Sequence, residues 1–197
     1  GTAGHPALVV GGAMSRTLSQ ASEDYLKAIY RLTADGKRAS TNLIARQMGV
    51  SAASATGMLQ RLAENDPPLV DYRKHYGVFL TPAGERASLE VIRRHRLIET
   101  FLFQMLNYSW DEVHEEADRL EHAISGHLEE RMAQVMGYPS SDPHGEPIPN
   151  QELSLPPQSD LRLSSLQPGQ QAIIQRMGNT DPRLLRHLAG RGMIPNA

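Results

Sequence analysis

The 197-residue chain predicts a mainly α fold: an N-terminal winged helix-turn-helix, a helical dimerisation domain, and the start of a small C-terminal β-domain. Three observations carry this. STNLIARQMGVSAASATGMLQRLAEN reads as two short helices about Gly49, with Leu43, Ile44 and Met48 on one and Met58, Leu59 and Leu62 on the other; two helices joined by a tight turn containing Gly are the helix-turn-helix layout. Two β-prone runs, LVDYR and GVFLT, then flank Lys74, His75 and Tyr76 as a hairpin wing. Two long amphipathic helices follow, and their apolar stripes need a partner surface, which pairing across a two-fold axis supplies.

The opening stretch, residues 1–18, contains GTAGHPALVVGGAM; it is glycine-rich, lacks the positive flank of a secretory signal and is expected to be a disordered leader. Residues 19–86 form the winged unit. Its first helix is capped by Ser22, with Glu23 and Asp24 suiting the positive N-terminal end and Leu26, Ile29, Tyr30 and Leu32 making the stripe. Ala34 to Arg38 turn the chain into the helix pair. Residues 87–150 form the helical unit. Thr81-Pro82 starts a helix reaching Leu106, and a second runs from Trp110 to about Met136 on Val113, Ala117, Leu120, Ile124 and Leu128. Proline, serine and glycine dominate from Gly137 to Pro168, predicting an irregular strap and a linker at 151–165. Residues 166–197 contain a Pro-Gly turn, a β-like AIIQRM and a helix-like PRLLRHLAGRG.

Composition excludes several classes. There is no cysteine, so neither a disulfide framework nor a Cys-based zinc site is available. The formal net charge of -2 is not that of a bulk polycation, although it leaves a local basic face open. No apolar run approaches the roughly 18 residues needed to span a bilayer, and the expected location is cytoplasmic.

His114, Asp118, Glu121 and His122 stand in HEEADRLEH, spaced so that a helix presents them on nearly one face. His95 and Glu99 form another pair one turn apart in RRHRLIETFL. A single His/Glu pair is usually a solvated helix face. Two pairs with Asp118 and Glu121 beside them, on successive helices, point instead to a divalent transition metal held by imidazole and carboxylate.

The second helix of the helix-turn-helix is expected in a DNA major groove, with Ser51, Ala52, Ala53, Ser54 and Thr56 near base edges and Gln60 further along. Arg46, Arg61, Arg73, Lys74 and His75 are expected to meet phosphates from neighbouring loops and the wing. Gly57 lies inside this helix at a cost of about 1 kcal/mol against Ala. A winged helix used only for protein contacts is the bland alternative.

In this order the motifs resemble the DtxR/MntR family of metal-dependent transcriptional regulators. SEDYLKAIY is similar to the family's opening helix, RRHRLIETFL and EVHEEADRLEH to its metal-binding helices, and DPHGEPIP to its strap. The tail resembles the start of the family's SH3-like (FeoA-like) domain. The resemblance runs from about Ser19 to the end. It implies a primary, activating site of Asp24, Asp118, Glu121 and His122, and an ancillary site of His95, Glu99 and His114, thus two sites per subunit. Iron-responsive members carry Met and Cys where this chain has Asp24 and Asp118; manganese-responsive members are acidic there. The resemblance therefore leans to Mn(II), with Fe(II) as the alternative. Lys27 departs from the manganese pattern, which has a carboxylate at that position, while His114 and the C-terminal tail are features of the iron-type branch.

Together these readings predict a homodimeric, Mn(II)-dependent DNA-binding repressor of metal-uptake genes, acting on an inverted-repeat operator and not an enzyme. A metal-dependent hydrolase needs an open coordination position and a general base, and the sequence shows no motif for one. An effector-binding winged-helix protein, with these His and Glu residues merely on its surface, is the third reading.

Overall fold

The computed structural model describes residues 18–159, 161–178 and 181–195; nearly all of the expected leader lies outside them. The order is α1 (Gln20–Leu32), α2 (Thr41–Gln47), α3 (Ala52–Ala63), β1 (Val70–Arg73), β2 (Gly77–Leu80), α4 (Pro82–Leu106), α5 (Val113–Leu120), α6 (Gly126–Val135), a 3-10 turn (Leu163–Ser165) and α7 (Pro182–Ala189).

Each helix of the winged unit begins at a serine. Ser19, not the expected Ser22, caps α1: its hydroxyl accepts from the Ser22 amide at 3.2 Å. Ser40 caps α2 and Ser51 caps α3 in the same way, satisfying amides that have no partner within the helix. Gly49 makes the turn between them at φ +65°, a conformation that costs glycine little. Strands β1 and β2 pair antiparallel from Val70↔Leu80 to Arg73↔Gly77. Leu26, Ile29, Ile44, Leu59 and Val78 are wholly buried in this unit's core.

Helix α4 has 25 residues, starting at the Thr81 cap with Pro82 in its first turn and ending at Asn107 in the left-handed region. It runs uninterrupted through the expected boundary between 86 and 87. At its start a Cβ on Gly84 would lie 1.8 Å from the Leu69 carbonyl oxygen, so only glycine lets α4 pack this closely on the wing. Further along, Ile98 and Leu102 pack with Val113, Ala117 and Met132 of α5 and α6.

The expected single helix from Trp110 to Met136 is two helices. Ser125, in extended conformation, caps α6 by accepting from the Leu128 amide at 3.2 Å. Apolar spacing continues across the break because Ile124 still packs on the same core, which is why periodicity alone predicts one element. The strap after α6 is tied to α4: Arg93 donates to the Pro149 carbonyl at 2.6 Å, Arg96 to the Pro147 carbonyl, and Ile148 is buried on Leu97 and Ala133. AIIQRM, expected to be β-like, belongs to no strand among the described residues. A strand needs a paired edge, and the backbone bond recorded there runs from the Met177 amide to the His144 carbonyl at 2.8 Å. Helix α7 does form, with Leu185 fully buried and Arg186 bonded to Asp111 at 2.5 Å.

Candidate metal centre and DNA-binding face

Three groups of candidate ligands lie along α4, each with its ligand atoms within 4.8 Å of one another: Asp24/Glu121/His122, His95/His114/Asp118, and Glu99/Asp142/His144. The first joins two parts of the chain. Asp24 comes from α1, whereas Glu121 and His122 follow directly on α5. His122 Nδ1 lies 2.6 Å from a Glu23 oxygen and its Nε2 lies 3.0 Å from Asp24 Oδ1 and 3.3 Å from Glu121 Oε1. Glu23 is in turn held by Arg94 at 2.9 Å. A carboxylate on one ring nitrogen sets the tautomer and turns the other nitrogen's lone pair towards the ligand cluster.

His95 sits at the centre, 2 % exposed. Its Nδ1 is 2.6 Å from Glu121 Oε2, and its Nε2 is 3.0 Å from both Glu99 Oε1 and His114 Nδ1. Burial works against protonation of His95, but the Glu99 and Glu121 carboxylates outweigh it and push the imidazole up to about 9. Before metal, His95 is thus an imidazolium clamped between two carboxylates, and it serves as a ligand only on losing that proton. Burial also opposes ionisation of Asp118 and Glu121, yet Lys27 beside Asp118, and His95 with Lys27 beside Glu121, hold both below the usual carboxylate range. Asp24 is raised, mainly by burial.

The third group contains two residues that motif reading of the helices passes over. Asp142 and His144 belong to the strap, a segment whose proline and glycine content predicts only a connection. They are 7 % and 2 % exposed. His144 stacks on Trp110 and its Nε2 lies 2.6 Å from the Trp110 carbonyl, to which it donates; Nδ1 is left facing Glu99 Oε1 at 3.9 Å. Burial and the neighbouring Glu99 push Asp142 up to about 8, while His95 and His114 draw Glu99 well below its ordinary value against burial. A protonated carboxyl beside an ionised one is the metal-free form of a site that a divalent cation suits. The DPHG sequence itself was the available signal: two ligand-type residues two apart.

The grouping differs from the one the resemblance implies. Asp118 stands with His95 and His114, at 3.4 and 3.7 Å, rather than with Asp24. His95, Glu99 and His114 do touch one another, but Glu99 also opens on the strap pair.

Of the residues expected to meet DNA, Arg46, Ser51, Ala52, Ala53, Ser54, Gln60, Arg61, Arg73, Lys74 and His75 are exposed and Thr56 is half-buried. The hydroxyls of Ser51 and Ser54 bond each other at 2.9 Å, and Thr56 bonds the Ala52 carbonyl at 2.8 Å, so the start of α3 offers a smooth surface of small side chains. Gly57 has open space where a Cβ would stand.

A winged helix-turn-helix joined by one long helix to a ligand-lined helical unit defines a metal-dependent DNA-binding regulator. The comparisons bear this out. Residues 17–78 match the iron dependent repressor N-terminal DNA binding domain, and 81–150 match the iron dependent repressor metal binding and dimerisation domain. The chain is 31% identical to the iron-dependent repressor IdeR of Mycobacterium bovis, over 91% of this chain and 83% of that protein. It is similar to a solved manganese-dependent transcriptional repressor in complex with manganese, at TM-score 0.79 and 40% identity over 89% of this chain and 80% of that one. ScaR with bound zinc matches at TM-score 0.74 and 34% identity, over 89% and 81%. The chain belongs to the DtxR/MntR family of metal-dependent repressors. It is a DNA-binding, dimerising repressor and not an enzyme, which sets the hydrolase alternative aside.

Proposed function

We propose that the chain is a Mn(II)-activated, cytoplasmic repressor controlling metal-uptake genes, binding as a homodimer to an inverted-repeat operator. One observation carries the reading: Asp24 of the DNA-binding unit shares a ligand cluster with Glu121 and His122 of the dimerisation unit. A divalent cation there would be held by ligands from both units, its charge offsetting the repulsion between their carboxylates. Oxygen donors with one imidazole suit Mn(II), and the absence of sulfur ligands disfavours softer ions. The 40% identity to a solved manganese-dependent repressor supports the same choice. Two ion positions per subunit are assigned, Asp24/Glu121/His122 as the switch and Glu99/Asp142/His144 as the second.

Ser51, Ala52, Ala53, Ser54, Thr56 and Gln60 face the groove; Arg46, Arg61, Arg73, Lys74 and His75 meet phosphates. Phe103, Met105, Leu106, Leu128 and Val135 are large apolar side chains left exposed on α4 and α6, which supports assigning the dimer contact to these two helices. The deciding experiment is binding of inverted-repeat DNA followed by anisotropy in metal-free buffer, with Mn(II) and with anaerobic Fe(II). Activation by Mn(II) at lower free concentration than Fe(II) is expected; stronger activation by Fe(II) selects the iron alternative, and no response to either sinks the reading.

A further inference from the structure

Lys27 follows Asp24 by three positions, so both project from one side of α1. The side chain is 9% exposed, and its ammonium donates to Asp118 Oδ1 at 2.9 Å and Glu121 Oε1 at 2.6 Å. An ammonium taken out of water costs several kcal/mol unless it is paired, and these two carboxylates supply the pairing. They belong to different ligand groups, Asp118 to that of His95 and His114, Glu121 to that of Asp24 and His122. One lysine therefore stands between two adjacent groups and takes an oxygen from each. Two metal ions placed side by side, about 3.5–4 Å apart, are commonly held by carboxylates that reach both. Here the shared position is taken by a cation, which repels a second ion and holds its ligands.

We propose that Lys27 is a resident cation that lets only one divalent ion enter these two adjacent groups and that keeps α1 on the dimerisation unit when no ion is bound. The first half rests on the metal reading above; the second does not. It explains why three ligand groups make two ion positions. It also makes α1 docking in the metal-free protein a property of the chain itself: two charge-assisted bonds reach from α1 to residues more than ninety positions away. The ion then enters among Asp24, Glu121 and His122 across a contact already made.

The test uses the full chain with K27M, which keeps length without charge, and K27R, which keeps the charge. Mn(II) per chain is read by equilibrium dialysis with elemental analysis, and α1 protection in the metal-free protein by hydrogen exchange. K27M is expected to bind about one more Mn(II) per chain than the parent and to exchange α1 amides roughly tenfold faster, since lost pairing opens local structure; K27R is expected to match the parent in both. Unchanged Mn(II) uptake in K27M overturns the one-ion role, and unchanged exchange overturns the docking role. A parent chain that takes up no Mn(II) sinks the metal reading and the one-ion role with it, while the exchange data still decide the docking role. Should K27M fail to fold, K27Q reads the same two quantities.

Discussion

The two proposed ion positions use similar ligands but tie together different elements. Asp24/Glu121/His122 spans α1 and the end of α5, so filling it changes how the DNA-binding unit sits on the dimerisation unit. Glu99/Asp142/His144 spans α4 and the strap, with the Met177 amide on the His144 carbonyl; filling it braces the dimerisation unit and the segment beyond. Ligand chemistry is similar at both. What differs is which elements the ligands tie together, and only the first pair of elements includes one that carries α1 and, through the shared core, α3. An ion alters an equilibrium only through its different affinity for two arrangements, so the switch belongs where two arrangements meet.

The sharpest way to break this comparison is to remove one ligand from each side. Asp24→Ala is expected to abolish most metal-stimulated DNA binding, a coupling of typically 1–3 kcal/mol or about 5–150-fold, while leaving the dimer intact by sedimentation. His144→Ala is expected to lose one bound Mn(II) and keep most of the stimulation. Equal losses in the two variants would remove the distinction.

Next in size is the joint between the units. Gly84→Ala forces a methyl group into the Leu69 carbonyl and is expected to destabilise the chain by about 1–3 kcal/mol, the usual cost of overpacking. Thermal unfolding should register that loss, and Mn(II) uptake at Glu99/Asp142/His144 should survive it. Loss of uptake there would mean that the two positions do not act separately.

A pH series sharpens the contrast further. Asp142 binds its proton up to about 8 in the metal-free protein, and an ion at that group must displace it. Mn(II) affinity of the Asp24→Ala chain, where only the second position is proposed to remain, should rise about tenfold per pH unit below 8 and level off above it. A flat profile from pH 6 to 8 would count against Asp142 as a ligand.

The smallest expected effect is on the wing. Arg73→Ala is expected to weaken all DNA sequences alike by a few-fold and to lower the salt slope by about 1, as loss of a phosphate contact does. Part of the Arg73 charge is already spent on Asp71 at 3.3 Å, which keeps the effect modest. A change in sequence preference would instead place Arg73 on a base edge.

Spacing and caps in the chain determined much of this. Helical periodicity about the Gly49 turn marked α2 and α3, Thr81-Pro82 marked the start of α4, and HEEADRLEH and RRHRLIETFL placed metal-ligand chemistry on successive helices, because those signals are local and a helix repeats every 3.6 residues. Tertiary structure alone decided the rest. The break at Ser125 hides under continuous apolar spacing. The partners of Asp118 and Glu99, the burial of Asp142 and His144, and the reach of Lys27 across the interface all join residues tens of positions apart. No local pattern encodes such pairings, since they depend on where packing of the apolar stripes sets α1, α5 and the strap against α4, and a buried charge settles on whichever opposite charge that packing brings within reach.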